Sequence, residues 1–235
     1  MSFKRGPNIV RDNLKILLDA NSDRSWPGSG STWFDISGNG NNFDFSTTPS
    51  FAGSYPNSYW KTSGCVAVGP ASNSLGIDND SGYTIMWCFK TPTGSANAAF
   101  KFYKSSGSGT SNRGIFVHPG WTNDTIYFDQ GGCCGTDTRT QYTNSNVVGG
   151  SSFSFAAVTR VSDNVRKIYY NGSVATTNTA TAANIDLGTT KVHLNPNDES
   201  YSWDGHLVNF MVYNRGLSDD ELHQNHNALK NRFRL

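Results

Sequence analysis

The carboxylates that could serve hydrolytic chemistry are few in this chain. A glycosidase needs a paired acid and nucleophile or base at a defined separation, yet the 235 residues include only two glutamates, Glu199 and Glu221. Glu221 follows Ser218 by three residues, which is the spacing of a helix-capping box. Glu199 lies in a polar loop, and no predicted strand carries carboxylates at i and i+2, where they would share one face. The sequence therefore predicts that the chain is not a glycosidase.

Nucleophilic catalysis is not indicated either. None of the histidines accompanies a Gly-x-Ser-x-Gly elbow of the hydrolase type. We expect each of them to be structural or to face solvent, and we predict that the chain is not an enzyme. The five are His118, His193, His206, His223 and His226.

Two oxygen-rich loops could hold Ca²⁺, which prefers oxygen ligands. One contains Asp78 and Asp80, and the other contains Asn197 and Asp198. The alternative is that both are turns in which Asx side chains bond their own backbone, and we favour it. A pair of histidines on the last helix, three residues apart, has no third ligand nearby in the sequence. We therefore expect no cofactor, with Ca²⁺ as the alternative.

Cys133 and Cys134 are adjacent within the sequence G-G-C-C-G. They could form a vicinal disulfide or a pair of metal ligands. The alternative is a buried loop of small residues with reduced thiols, which we expect of a protein made in the cytosol. With Cys65 and Cys88 they make four cysteines without C-x-x-C spacing, too few and too scattered for a disulfide scaffold.

Sugar recognition would need exposed aromatic rings for stacking and Asn or Asp groups for the hydroxyls. Two groups of residues could supply them, and the alternative for each is an aromatic side chain packed beneath its own loop. The first group is Trp121, Asn123 and Asp124, and the second is Tyr201 and Trp203 beside Asp198.

Composition narrows the class of protein further. The formal net charge is +1 and charged residues make up 16% of the chain, so no basic excess exists to bind a nucleic-acid backbone. No stretch approaches the ~18 consecutive apolar residues of a membrane span. The first residues lack an apolar core long enough for a signal peptide. We expect no nucleic-acid partner, no membrane insertion, and synthesis in the cytoplasm without export.

Alternating apolar and polar residues predict a series of short β-strands. The β-branched and aromatic content that strands favour occurs in Leu14–Asp19, Thr84–Phe89 and the run 207–213. Asn171 and Gly172 join two strands, and this dipeptide is typical of a tight hairpin because both residues tolerate positive φ. Ten or more strands with frequent turns predict one all-β, two-sheet antiparallel sandwich.

The chain ends in a predicted helix. Ser218 and Glu221 form a capping box, and we expect the helix to span residues 219–231. Residues 1–13 resemble an arm that leads into a single domain at residues 14–235. Basic side chains at both ends could dock the protein onto a partner, and the alternative is that they are ordinary solvated termini. They are Lys4, Arg5, Arg11, Lys230, Arg232 and Arg234.

Three segments resemble the concanavalin A-like lectin/glucanase superfamily, specifically its laminin G-like branch. They read L-K-I-L-L-D-A with W-F-D-I-S-G-N-G-N-N, then F-A-A-V-T-R with R-K-I-Y-Y-N-G-S-V, and finally W-D-G-H-L with V-Y-N-R-G-L-S-D-D-E-L. The opening and the ending are similar to the form found in structural proteins of tailed bacteriophages. The family often carries Phe-Asp-Gly before its second sheet strand, where this chain reads W-K-T-S-G-C, so a ligand role of that turn does not carry over.

The resemblance implies a jelly-roll sandwich with one short C-terminal helix. It also implies a non-enzymatic virion protein on the outer surface of a tailed phage, in the head decoration, neck or tail fibre. Such a protein reaches the outside by lysis. The expected partners are other virion proteins, with the chain present in many copies, and host cell-surface glycans. The alternatives are a carbohydrate-binding adhesin and, third, a glycoside hydrolase.

Overall fold

The computed structural model describes residues 7–55, 57–107, 109–196 and 203–233. It confirms an all-β fold with one C-terminal helix. The strands are β1 (Leu14–Asp19), β2 (Thr32–Trp33), β3 (Phe43–Phe45), β4 (Ser50–Ala52), β5 (Tyr59–Lys61), β6 (Ala67–Ala71), β7 (Tyr83–Lys90), β8 (Phe100–Tyr103), β9 (Arg113–His118), β10 (Thr125–Gln130), β11 (Arg139–Thr143), β12 (Ser154–Ser162), β13 (Val165–Tyr170), β14 (Ser173–Asn178), β15 (Lys191–Leu194) and β16 (His206–Tyr213). Two 3-10 turns, Ser72–Leu75 and Gly109–Asn112, and the helix α1 (Asp219–Phe233) complete the set.

The strands form two antiparallel sheets that face each other. The first sheet has the order β14-β13-β12-β7-β16-β5-β4, and β1 also pairs with β16. The second has the order β11-β10-β9-β8-β15-β6-β3-β2. Neighbours in each sheet are often distant in sequence, as in a jelly roll, so the predicted two-sheet sandwich is confirmed.

Aromatic side chains dominate the core between the sheets. Trp33, Trp60, Trp87 and Trp203 are all fully buried there. Trp33 and Trp60 meet edge to face, with 5.9 Å between their ring centroids. Because each aromatic side chain buries ~150–250 Å², thirty aromatic residues can build this core in a chain that is only 36% hydrophobic. No helix in the described residues is long and apolar enough to cross a membrane.

Helix α1 covers the outer face of the first sheet. Leu222 and Leu229 pack against Met86, Met211 and neighbouring side chains, which form a second apolar cluster. The hydroxyl of Ser218 accepts the amide of Glu221 at 3.2 Å, and the Glu221 carboxylate accepts the amide of Ser218 at 2.9 Å. Both hydrogen bonds of the capping box are therefore present. The helix runs two residues beyond the predicted end at residue 231.

The tight hairpin joins β13 to β14. Asn171 has φ 49° and Gly172 has φ 84°, the left-handed conformations that a type I′ turn requires at both central residues. Asn171 also fixes the neighbouring strand, because its side-chain oxygen accepts the amide of Phe155 at 2.9 Å.

The loop before β3 is fastened to the edge strand β1. The Asp35 carboxylate accepts the amides of Leu17, Ser37 and Asn41 at 2.9–3.0 Å. The side-chain amides of Asn39 and Asn41 donate to the backbone carbonyls of Leu14 and Lys15 in β1. One of the three donating amides, that of Leu17, belongs to β1 itself. The loop therefore satisfies polar groups that an edge strand would otherwise expose.

Candidate functional site

The outer face of the second sheet carries a cluster of buried ionisable side chains. Ile115 and Val117 point into the core, so Phe116 and His118 alternate to the opposite face of β9. The same alternation places Asp129 on that face of β10. All three outward side chains are nonetheless buried. A polar set buried on the outside of a sandwich must be satisfied by close partners.

Asp129 is the centre of this set. Its side chain is 0% exposed and forms ion pairs with two guanidinium groups, those of Arg113 and Arg139. Arg139 is bidentate, with Nε to Oδ1 at 2.5 Å and Nη2 to Oδ2 at 2.7 Å. Burial alone would raise the pKa of Asp129, but hydrogen bonds from Arg139 and His118 and their charges outweigh it and lower the pKa to about 2. The carboxylate is thus held ionised.

His118 lies beside this ion cluster. Its Nε2 is 3.4 Å from Oδ2 of Asp129 and 3.5 Å from Nη1 of Arg113. Burial lowers the pKa of His118 below its usual value, and this effect exceeds the opposing hydrogen bond and charge of Asp129. The ring is therefore neutral at pH 7. Within the described part of the chain, its Nδ1 has no hydrogen-bond partner.

Trp121, Tyr127, Asn123 and Arg139 form the accessible part of this face, and we call them the aromatic platform. Trp121 and Tyr127 are half-buried, with ring centroids 5.6 Å apart in an edge-to-face contact. The guanidinium of Arg139 lies 4.3 Å from the Tyr127 ring centroid. Asn123 is exposed, and its amide donates to the Tyr127 hydroxyl at 3.0 Å. The rings of Trp121 and Tyr127, the side-chain amide of Asn123 and the guanidinium of Arg139 thus lie together on the solvent-facing surface.

The turn between β9 and β10 holds the platform in position. The amide of Trp121 donates to the carbonyl of Thr125 at 2.9 Å, and the amide of Asp124 donates to the carbonyl of Trp121 at 3.0 Å. Asp124 has φ 61°, a left-handed conformation that Asp tolerates better than most residues. The Trp121 ring also meets the buried His118 ring, with centroids 5.1 Å apart. The platform is therefore braced by the ion cluster beneath it.

The sugar-binding residues predicted from the sequence lie in different parts of the structure. Trp121, Asn123 and Asp124 lie together in this turn. Trp203 does not belong to a ligand surface: it is 0% exposed, packs between the sheets against Phe100, and donates its Nε1 to Thr91 at 3.2 Å. The prediction that Trp203 could stack on a sugar is wrong, because strand β16 draws the residues before it into the core. Tyr201 and Asp198 lie outside the described residues.

The calcium candidates that the structure describes form a turn. Asp78 accepts the amide of Ser81 at 2.6 Å, which is the Asx arrangement, and Asp80 follows in the same turn. Asn197 and its neighbour Asp198 are not described. Across the described ranges, no group of three or more His, Cys, Asp or Glu side chains is arranged to hold a metal ion. The rings of His223 and His226 are 6.5 Å apart.

Cys133 and Cys134 form a disulfide, so the expectation of reduced thiols is wrong. The adjacent pair closes at a tight turn in which Gly131 has φ 66° and Cys134 itself has φ 76°. Cys134 is exposed, and the Cys133 sulfur accepts Nη2 of Arg139 at 3.5 Å. The disulfide therefore adjoins the aromatic platform through Arg139. Cys65 and Cys88 are buried and free.

The basic residues proposed for assembly are only partly described. Arg11 is exposed and Lys230 is half-buried on α1. Lys4, Arg5 and Arg234 lie outside the described residues, as does the side chain of Arg232. Near them, Val10 packs in the cluster under α1, and its amide donates to the buried Asn225 side chain at 2.7 Å.

Sequence reasoning missed Asp129, Arg113, Arg139 and Tyr127. One signal was available, since an aspartate in the strand T-I-Y-F-D-Q is unusual and calls for a buried partner. The arginine partners of Asp129 depend on which strands are paired. Asp129 lies opposite Arg139 because β10 pairs with β11, and the alternation of residues within one strand does not reveal that pairing.

One known protein family matches most of this chain. The family model Laminin_G_3, described as Concanavalin A-like lectin/glucanases superfamily, matches residues 61–223, more than half of the chain. A search of curated proteins finds no match.

Several solved structures share the fold at low identity. A sialidase of Trypanosoma rangeli has 12% identity and a TM-score of 0.65, covering 97% of this chain and 35% of its own. The binding domain of Paraclostridial Mosquitocidal Protein 1 has 14% identity and a TM-score of 0.66, covering 94% and 53%. The binding domain of botulinum neurotoxin DC, solved with rat synaptotagmin II, has 12% identity and a TM-score of 0.65, covering 94% and 52%. The chain thus spans about a third of the sialidase and about half of each toxin domain, and the likeness is one of fold.

Proposed function

Because this chain belongs to the laminin G-like family of the concanavalin A-like lectin/glucanase superfamily, we propose that it is a non-enzymatic glycan-binding protein on the outer surface of a tailed-phage particle. Fold alone does not determine function, so the proposal rests on the site. The observation that carries it is the aromatic platform. The superfamily is described by its lectins and glucanases, and that description is consistent with a surface that recognises sugars.

The platform combines the two features that sugar recognition needs. One face of a pyranose ring presents C–H groups, which pack on aromatic rings such as Trp121 and Tyr127. Its hydroxyls need fixed polar partners, which Asn123 and Arg139 supply. Arg139 is already held by Asp129 at two points, so little side-chain freedom is lost when a ligand binds.

The electrostatics of the site support binding without hydrolysis. A general acid must be protonated near the working pH, whereas the pKa of Asp129 is lowered to about 2. Asp129 and Asp19 are the two buried carboxylates of the described residues, and they lie on opposite sheets. Neither is therefore placed to form the close carboxylate pair of a glycosidase.

The particle location is supported by the sequence. The opening and ending segments resemble laminin G-like domains of phage structural proteins. Helix α1 and the residues near Val10 lie on the first sheet, opposite the platform, and Arg11 and Lys230 bring positive charge to that side. We propose that this side docks on other virion proteins in many copies, whether at the head, neck or tail fibre.

A glycan array tests the binding function. We expect the wild-type chain to bind a subset of glycans, and Trp121→Ala and Tyr127→Ala each to weaken that binding about fivefold to tenfold, since stacking on a ring is worth roughly 1–1.5 kcal/mol per contact. Tyr55→Ala is the matched control because Tyr55 is 73% exposed and away from the platform. Wild-type chain that binds no glycan, or a Trp121→Ala variant that binds normally, would contradict the proposal.

Mass spectrometry of purified virions tests the location separately. The polypeptide should be present in many copies and accessible to antibody on intact particles. Glycan binding by a chain that virions lack would instead favour the second candidate, an adhesin that is not part of a particle.

A further inference from the structure

A groove opens where the edges of the two sheets meet, between β11 of the second sheet and β14 of the first. Its volume is about 590 Å³, within the range of small-molecule sites. Arg139 and Gln141 line it on one side and Thr177 and Asn178 on the other, with the exposed Cys134 of the disulfide at its rim. Arg139 also belongs to the aromatic platform, so the groove and the platform share this residue.

The groove contains a buried hydroxyl without a partner. Thr140 lines the groove and is 2% exposed, yet its Oγ1 forms no hydrogen bond with the described residues. Most buried polar groups are satisfied, so this hydroxyl lacks a partner that a group entering the groove would supply. Asn178 fixes the walls around it, since its amide donates to the carbonyls of Thr136 and Arg139 at 2.9 Å each.

A buried positive charge lies directly behind the groove. Arg166 is 0% exposed, and its Nη2 donates at 2.8 Å to the carbonyl of Thr136, a groove residue. Its Nε and Nη1 have no hydrogen-bond partner, and it forms no ion pair, as far as the structure describes the chain. The neighbouring Arg160, by contrast, pairs with Asp163. A buried guanidinium without a carboxylate is costly, and the cost falls if an anion binds nearby.

The surroundings of Arg166 agree with this interpretation. Burial lowers the pKa of its guanidinium, and the charge of Arg160 acts in the same direction, while Tyr83 and Asp137 oppose them. Asp137 is exposed, where solvent and salt screen its charge. The group remains charged at pH 7 because an arginine begins from a very high pKa.

We propose that this groove binds the carboxylate of a sugar acid, so that the glycan recognised by the chain is an acidic polysaccharide. The inference rests on the proposed glycan-binding function and names its ligand class. The Thr140 hydroxyl donates to the carboxylate, and the positive charge of Arg166 beneath Thr136 stabilises it. The sulfur atoms of the disulfide offer an apolar, polarizable surface to the ring, and adjacent sugar units extend across Arg139 to the aromatic platform.

Calorimetric titration of the full chain with trigalacturonate and with its methyl ester tests the proposal, because the two probes differ only in the charge of the carboxyl groups. We expect the acid to bind at least tenfold more tightly. Arg166→Met should reduce this preference to less than threefold, and Thr140→Val should weaken binding of the acid about threefold to tenfold. Lys191→Met is the charge-matched control: Lys191 is exposed on β15, four strands from β11 and so ~19 Å away. It should keep the preference.

The outcomes separate this inference from the proposed function. Equal binding of acid and ester, weakened in both cases by Trp121→Ala, would overturn the acidic-ligand inference and still support the aromatic platform. Acid preference that survives Trp121→Ala but disappears in Arg166→Met would support the groove without the platform. Should Arg166→Met fail to fold, Thr140→Val carries the test. An unchanged affinity for the acid in that variant would overturn the proposal.

Discussion

The carboxylate of Asp35 accepts the backbone amide of Leu17 at 2.9 Å, across eighteen residues of chain. Leu17 belongs to β1, a short strand whose only partner among the described strands is β16. The free side of β1 would expose a row of backbone donors and acceptors, which is a template for association with other chains. The motif D-I-S-G-N-G-N-N closes that side, and this structural role accounts for its polar residues without a metal.

Asp35→Ala should therefore destabilise the fold and promote self-association. It removes an acceptor shared by three amides, and we expect the free energy of unfolding to fall by about 2–4 kcal/mol. Urea unfolding measures the loss, and size-exclusion chromatography detects oligomers through the freed edge. Asp23→Ala, an exposed carboxylate in the preceding loop, is the control. A stable, monomeric Asp35→Ala variant would show that the loop does not protect the edge.

Asp129 should make stability depend on acid pH. Its pKa is about 2 in the folded chain and about 3.9 when unfolded, so the folded state favours the ionised form. The resulting contribution of roughly 2.5 kcal/mol is complete above about pH 5 and is lost as the pH falls from 4 to 2.

Asp129→Asn should lower the free energy of unfolding by about 3–5 kcal/mol at pH 7, because two guanidinium groups lose their counterion. The gap between variant and wild type should narrow as the pH approaches 2. Thermal unfolding at several pH values measures both effects. A gap that is the same at pH 7 and pH 2.5 would mean that the ion cluster does not stabilise the fold.

Ser218→Ala should shorten or fray helix α1. It removes the side-chain acceptor of the Glu221 amide, a loss of about 1 kcal/mol for a capping residue. Ser29→Ala in an exposed loop should change stability by less than about 0.5 kcal/mol. Amide hydrogen exchange at residues 219–222 locates the effect; protection that is equal in both variants would argue against a role of the cap.

Trp203→Ala and Trp121→Ala should separate core from surface. Trp203 fills the core, so its truncation should lower the free energy of unfolding by about 3–5 kcal/mol. A lower unfolding temperature would show this loss. Trp121 is half-buried on the outer face, and its truncation should lower the free energy of unfolding by less than about 2 kcal/mol while weakening the proposed glycan binding. Equal losses of stability in the two variants would contradict the placement of Trp121 on an accessible surface.

The sequence predicts the long strands and the helix because their patterns are strong. The exact bounds of β1 follow from it, as does the left-handed Asn171–Gly172 turn. Strands β2 to β5 have two or three residues each, too few for any period to appear. They form because neighbouring strands supply the hydrogen bonds, which is information held elsewhere in the chain.

The candidate site is less accessible to sequence reasoning. Trp121 and Trp203 both precede polar residues or turns, and only the packing of the two sheets decides that one is half-buried on the outer face and the other is in the core. The ion cluster likewise requires β9, β10 and β11 to be adjacent. The Cys133–Cys134 bond depends on the local turn, which adjacency of two cysteines does not specify.

Helix α1 and the aromatic platform lie on opposite outer faces of the sandwich, and this separation has a consequence for avidity. A copy attached through its helical side presents its ligand surface away from the support, and every copy on a symmetric support does so in the same orientation. Individually weak contacts with a long polymer would then combine, and the apparent affinity can exceed that of one copy by a factor of ~10²–10⁴. Modest affinity of the isolated chain is therefore compatible with firm attachment of an array.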